Sequence, residues 1–211
     1  MPIIAKEPEG GGDFAPAPQG THPARCVGVV DLGTQKAEFQ GEVKVARKVR
    51  VTWELPEEKL TARDGATKPM LVSKKYTLSL HEKAALRHDL SSWRGRDFTD
   101  EERMGFDISK LLNATCLLTI VHKTEGQKTF ANISSVAKLP KGMPPLHEAH
   151  NKLISYSIED GKNSTFAALP EWLQKQIGEC LEWTRPPVEP DADKAPEPTG
   201  DGRSDDDNVP F

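Results

Sequence analysis

Cysteine is scarce: the 211 residues hold three, Cys26, Cys116 and Cys180, far apart and odd in number. That usage supplies neither a disulfide framework nor the two close pairs a structural zinc site wants, and it suits a reducing compartment. Long apolar runs are missing too. No stretch approaches the roughly 18 apolar residues of a membrane-spanning helix. Residues 1–12 show no apolar segment behind a basic patch, so no secretory signal is expected. The Asn-x-Ser/Thr triplets at Asn113, Asn132 and Asn163 then read as chance matches in a soluble, cytoplasmic protein. Catalytic signatures are equally thin. Gly10, Gly11 and Gly12 follow no strand pattern and precede no Lys-Ser/Thr pair, so they form no phosphate loop, and no Gly-x-Ser-x-Gly occurs. His147 and His150 stand one residue too close for the HExxH metal spacing. Neither an enzyme activity nor a cofactor or metal is expected.

What is present is unevenly charged. The total is −4, but residues 186–211 hold eight acidic side chains against two basic ones, a balance of −6 that leaves +2 on the other 185 residues. The same stretch carries six prolines and a single aromatic, Phe211. It cannot bury enough apolar surface to offset its ordering entropy, so 184–211 reads as a disordered acidic tail. Residues 1–23, where glycines alternate with prolines, read as a flexible arm, and 24–183 as the one folded domain.

Within that domain, periodicity predicts strands interrupted by helices. Residues 25–32 form a short apolar run with Gly28 inside it, a sign of a bulge or bend. Val49, Val51, Trp53 and Leu55 alternate with Lys48, Arg50 and Thr52, and Val72, Tyr76, Leu78 and Leu80 with Ser73, Lys75, Thr77 and Ser79. These are half-buried strands over 42–55 and 70–80. Leu86, Leu90 and Trp93 recur at helical spacing before Gly95, and Thr99 with Glu102 makes a capping box. Strands follow at 116–123 and 128–139 around a turn at 124–127. A last helix spans 170–183 with Trp172, Leu173, Ile177, Cys180 and Leu181 on one stripe. Trp93, Trp172 and Trp183 read as core. The order, three strands, helix, two strands, C-terminal helix, is that of a mainly β protein built on a five-stranded Greek-key barrel, the OB-fold, with a helical insert between strands 3 and 4.

The final seven residues are Asp205-Asp206-Asp207-Asn208-Val209-Pro210-Phe211. This ending resembles the DDDIPF-type tip of bacterial single-stranded DNA-binding proteins, and phage single-strand binders likewise end in acidic residues and a phenylalanine. The resemblance departs in having Asn208-Val209 in place of one isoleucine. The helical insert and C-terminal helix bring the body closer to the phage binders. It implies a non-enzymatic protein of the bacterial host cytoplasm, coating single-stranded DNA in phage replication or recombination. Replication, recombination and repair proteins would dock on the tip through Asp205, Asp206, Asp207, Pro210 and Phe211. Physically, a terminal Phe fills an apolar pocket while its carboxylate and the aspartates meet a basic rim.

Contacts to DNA must come from cations tracking phosphates and aromatic faces stacking on bases. Lys48, Arg50 and Lys75 face away from the apolar sides of their strands. Phe130 shares a polar face with Asn132 and Ser134, with packing under a loop as its alternative. Arg47 breaks the alternation, as at a bulge. Arg94 and Arg96 form a basic corner after a helix, and Lys123 and Lys128 flank the hairpin turn. Trp53 and Tyr76 lie in phase with apolar residues, as core side chains do, with a barrel rim as the alternative. A homodimer is expected, because pairing small barrels multiplies effective affinity. Two other readings stay open: a recombination mediator, annealing or RNA-binding protein, and a protein-only adaptor with an OB-like body. The tail should compete with phosphates for a basic groove. Deleting 205–211 is therefore expected to raise affinity for a single strand at low salt, measured by fluorescence anisotropy; equal affinities would count against competition.

Overall fold

β1 (Gly20–Phe39) is the strand every other layer of the molecule leans on, and its sequence explains why. In the computed structural model, which describes residues 15–184 apart from 40, 62–64 and 127, it pairs through Gly20–Arg25 with β4 (Thr115–Glu125) and from Arg25 onward with β2 (Glu42–Thr61). Register shifts between Cys26 and Gly28 and between Asp31 and Gly33 let the strand bend. The bulge expected at Gly28 is there, and a Cβ on Gly28 would come within 3.2 Å of Thr52 Cβ. The second irregularity falls in β1 opposite Lys48 and Val49, not at Arg47. β1 begins at Gly20, so residues 20–23, read as part of a flexible arm, are strand. Residues 1–14 and the tail from 185 lie outside the described residues.

β3 (Thr67–Thr77) and β5 (Lys128–Ala137) complete an antiparallel sheet in the order β3-β2-β1-β4-β5. A short β6 (Ile154–Tyr156) adds in parallel to Gly28–Val30, a pairing of three residues too brief to register as a period in sequence. Helix α1 (Ala85–Arg94), stopped by Gly95 at φ 70°, and α2 (Asp100–Met104), opened by the Thr99/Glu102 capping box, stand between β3 and β4 with a 3-10 turn at Ile108–Leu111. After β6 come α3 (Ser164–Ala167), α4 (Glu171–Gly178) and α5 (Leu181–Thr184). The single helix expected over 170–183 is thus two, with Pro170 as the cap of α4. The protein is mainly β, and among the described residues no helix is long and apolar enough to cross a membrane.

Two apolar clusters share β1. The larger takes the inward face of the sheet: Val29, Val51, Trp53, Val72, Leu118 and Ile133, closed by Leu86, Leu90 and Trp93 of α1. Trp53 and Trp93 pack with ring centroids 5.9 Å apart. The smaller joins Val30 and Leu32, on the other side of β1, to Tyr156, Ile158, Leu173 and Ile177. A strand buried on both faces reads as a near-continuous apolar run, as residues 26–30 (CVGVV) do.

The close approach of the C-terminal segment to β1 rests on Gly33. Its φ is 69°, and a Cβ there would sit 2.6 Å from Cys180 Cβ. Gly33→Ala combines left-handed backbone strain with a clash against a neighbour whose own position is fixed by burial. It is expected to lower stability by about 2–4 kcal/mol in urea denaturation.

Candidate nucleic-acid interface

Alternation along β2 and β3 sends Val49, Val51, Trp53, Val72 and Tyr76 into the larger core and leaves Lys48, Arg50, Thr52, Leu71, Ser73 and Lys75 on the opposite face. The register sets Arg50 directly across from Lys75, Thr52 from Ser73 and Lys48 from Thr77. Lys48 Nζ donates to Thr77 Oγ1 at 2.7 Å. The Arg50 guanidinium lies 4.7 Å from the centre of the Trp172 ring of α4, and among the described residues it meets no carboxylate. Burial holds the Arg50 pKa below its ordinary value; burial, then the charges of Arg50 and Lys48, do the same for Lys75. Three neighbouring cations that meet no acidic partner among the described residues form a patch whose electrostatics call for an anion.

Beside this patch the sheet and α4 enclose a groove of about 380 Å³. Its floor is Gly28, Val30 and Thr52, its far wall Leu173 and Trp172, and its mouth Asn151 and Lys152 of the connector that leads from β5 to β6. The connector is held by two residues that face each other in the β1–β2 ladder, Arg25 and Glu54. Arg25 Nη2 donates to the carbonyl oxygens of Leu146 and His147 at 2.9 Å each. Glu54, 1% exposed, accepts from the backbone N–H groups of His150 and Asn151 at 3.0 and 2.8 Å and from Asn151 Nδ2 at 2.6 Å. Burial alone would push the Glu54 carboxyl upward, but the converging donors outweigh it and hold the group below the usual carboxylate range.

The remaining sequence-predicted residues are distributed differently. Trp53, 1% exposed, and Tyr76, 4% exposed, belong to the core and offer no face to a base, which corrects their place among the DNA contacts. The Tyr76 hydroxyl donates to Asp89 Oδ2 at 2.8 Å, tying β3 to α1. Arg47 is held by Asp31 at 2.5 Å and Glu159 at 3.2 Å, and the Asp31 contact raises its pKa. The basic corner is a clamp: Arg94 and Arg96 both grip Glu102, and the Arg94 guanidinium lies 4.4 Å from the Phe98 ring and 5.0 Å from Phe106. Those bonds lower the Glu102 carboxyl to about 2. Lys123 pairs with Glu125 at 2.7 Å. Phe130 is 46% exposed and lies opposite Lys123 on the β4–β5 hairpin, which also carries exposed Lys128. Residues 205–211 fall outside the described residues.

The chain matches no family model and no curated protein.

Trp172 is the residue that periodicity misplaced. It is 52% exposed, one step around α4 from Leu173 and Ile177, which carry the burial. The only signal for this was its position beside, not on, the 173/177/180 stripe. Among the described residues no group of three or more His, Cys, Asp or Glu side chains is placed to hold a metal ion.

Glu54 makes the mouth of the groove sensitive to acid. A carboxyl held below its ordinary pKa contributes stability at neutral pH that is lost as pH falls through the folded value. Glu54→Gln is expected to cost about 2 kcal/mol at pH 7 by thermal or urea unfolding. The gap between the two proteins should narrow as pH falls through the folded carboxyl's pKa, which lies below the ordinary carboxylate range. A gap independent of pH would mean that charge on Glu54 plays no part.

Proposed function

We propose that this chain binds single-stranded DNA with little sequence preference, through the outward face of β2 and β3 beside Trp172. The observation that carries the reading is the patch of Lys48, Arg50 and Lys75, free of acidic partners among the described residues and flanked by an exposed indole. Cations without carboxylates favour phosphates, and an aromatic face next to them suits the π-face of any base, a combination that fits an unpaired strand better than a duplex. The order β3-β2-β1-β4-β5, the bent β1 shared between two partners, and the helical insert before β4 support an OB-fold, with closure where β3 comes against β5. The exposed Phe130, Lys128 and Lys123 of the β4–β5 hairpin are a second contact region in this reading. The acidic segment ending Pro210-Phe211 would recruit proteins of a phage-type replication or recombination system, as its resemblance to single-strand-binder tips implies.

Anisotropy of a labelled thymidine oligonucleotide across salt concentrations tests the reading. Binding is expected to weaken linearly on a log–log salt plot. Arg50→Ala and Lys75→Ala should each reduce affinity about fivefold near 0.1 M salt and lower the slope by roughly 0.7 per lost cation. Lys110→Ala, in the 3-10 turn after α2, should change neither. Flat anisotropy at low salt, with residues 185–211 removed as well, would overturn DNA binding and leave the protein-only adaptor.

A further inference from the structure

We infer that the groove between the sheet and α4 is a pocket for a nucleobase turned out of the bound strand. This inference rests on the single-strand reading and adds what the cation patch alone does not require: that the protein holds the base as well as the backbone. The volume of about 380 Å³ is at the small end of ligand sites, with room for one base and its sugar but not for a stacked run. Its surfaces match a base in kind. Gly28 and Val30 of β1 and Leu173 of α4 supply apolar surface, as the two faces of a base ask for. Among the polar side chains of the lining, the hydroxyls of Thr52 and Ser73 lie across from each other in the β2–β3 ladder and have no hydrogen-bond partner among the described residues. Half-buried hydroxyls left open in this way are ready to meet the polar rim of a ring.

The mouth of the groove supports the same occupant. The Arg50 guanidinium lies against the Trp172 ring of the wall, a contact that a base can extend. Arg50, Lys152 and the adjacent Lys75 place positive charge where the phosphates flanking an inserted base must pass. Gly28 keeps the floor open, since a side chain there would come up against Thr52 and occupy the space. Glu54 and Arg25 hold the connector that forms the mouth of the groove, which makes them positioning residues for a site they do not line.

The test compares a labelled thymidine oligonucleotide of about ten residues with one of equal length and charge built wholly of abasic sugars, on the full chain. Loss of the bases is expected to weaken binding about tenfold or more, while the salt slope stays the same, because the phosphates are unchanged. Ser73→Phe fills the groove without removing a cation; it should bring affinity for the thymidine strand down toward the abasic value and leave the abasic strand unaffected. Trp172→Ala should abolish most of the DNA-dependent tryptophan quenching, since Trp53 and Trp93 are buried and Trp183 packs against Phe166 in the smaller cluster. Equal, salt-dependent binding of both oligonucleotides, or a Ser73→Phe protein that binds thymidine normally, overturns the base pocket while strand binding stands. Absence of binding by either oligonucleotide overturns both.

Discussion

β1 is buried on both faces, and everything distinctive about the molecule follows from that constraint. A strand with apolar side chains on each side needs cover twice. The inward cover is the rest of the sheet with α1 beneath it; the outward cover is the C-terminal segment, β6 and α3 to α5. The bulges at Cys26/Gly28 and Asp31/Gly33 let one strand serve both, by turning its side chains as it passes from β4 to β2. Gly33 then permits Cys180 to approach the backbone to a distance that no side chain would tolerate.

Docking the C-terminal segment covers only part of the outward face. The uncovered strip over β2 and β3 is where Lys48, Arg50 and Lys75 stand, and its boundary with α4 is the groove. The mouth of the groove is held by hydrogen bonds as well as by apolar contact. Arg25 and Glu54, opposed in the ladder, each bind backbone groups of the connector, one its carbonyls and the other its N–H groups. For the buried Glu54 carboxylate the converging N–H dipoles stand in for a countercharge. Rigid positioning of this kind is what a binding surface requires if little ordering is to be left for the moment of contact.

Charge explains which basic residues became candidates for binding and which did not. Arg47, Arg94, Arg96 and Lys123 look the same in sequence as Arg50 and Lys75. In the fold the first four meet Asp31, Glu102 or Glu125, while among the described residues the last two meet no carboxylate and stand beside each other, Lys48 and Trp172. The carboxylates that engage Arg47, Asp31 and Glu159, come from β1 and from a turn far along the chain. No spacing rule foretells that meeting. Arg94 and Arg96 lie close enough to Glu102 in sequence for the pairing to have been legible, since the same glutamate closes the capping box.

Local rules determined the elements themselves. Alternation marked β2 and β3, the capping box and Gly95 marked the helical insert, and a glycine inside an apolar run marked the bend of β1, because each depends only on neighbours within a turn or a pleat. The same rule separated Lys48, Arg50 and Lys75 from the core. Tertiary structure alone decided the rest: that α4 would lie across the sheet with Trp172 turned outward, that β6 would join β1, that Glu54 would be buried yet satisfied, and that Arg50 would meet no acid among the described residues. Those outcomes are sums over contacts between residues up to a hundred or more positions apart, and a one-dimensional pattern carries no record of which distant surfaces will meet.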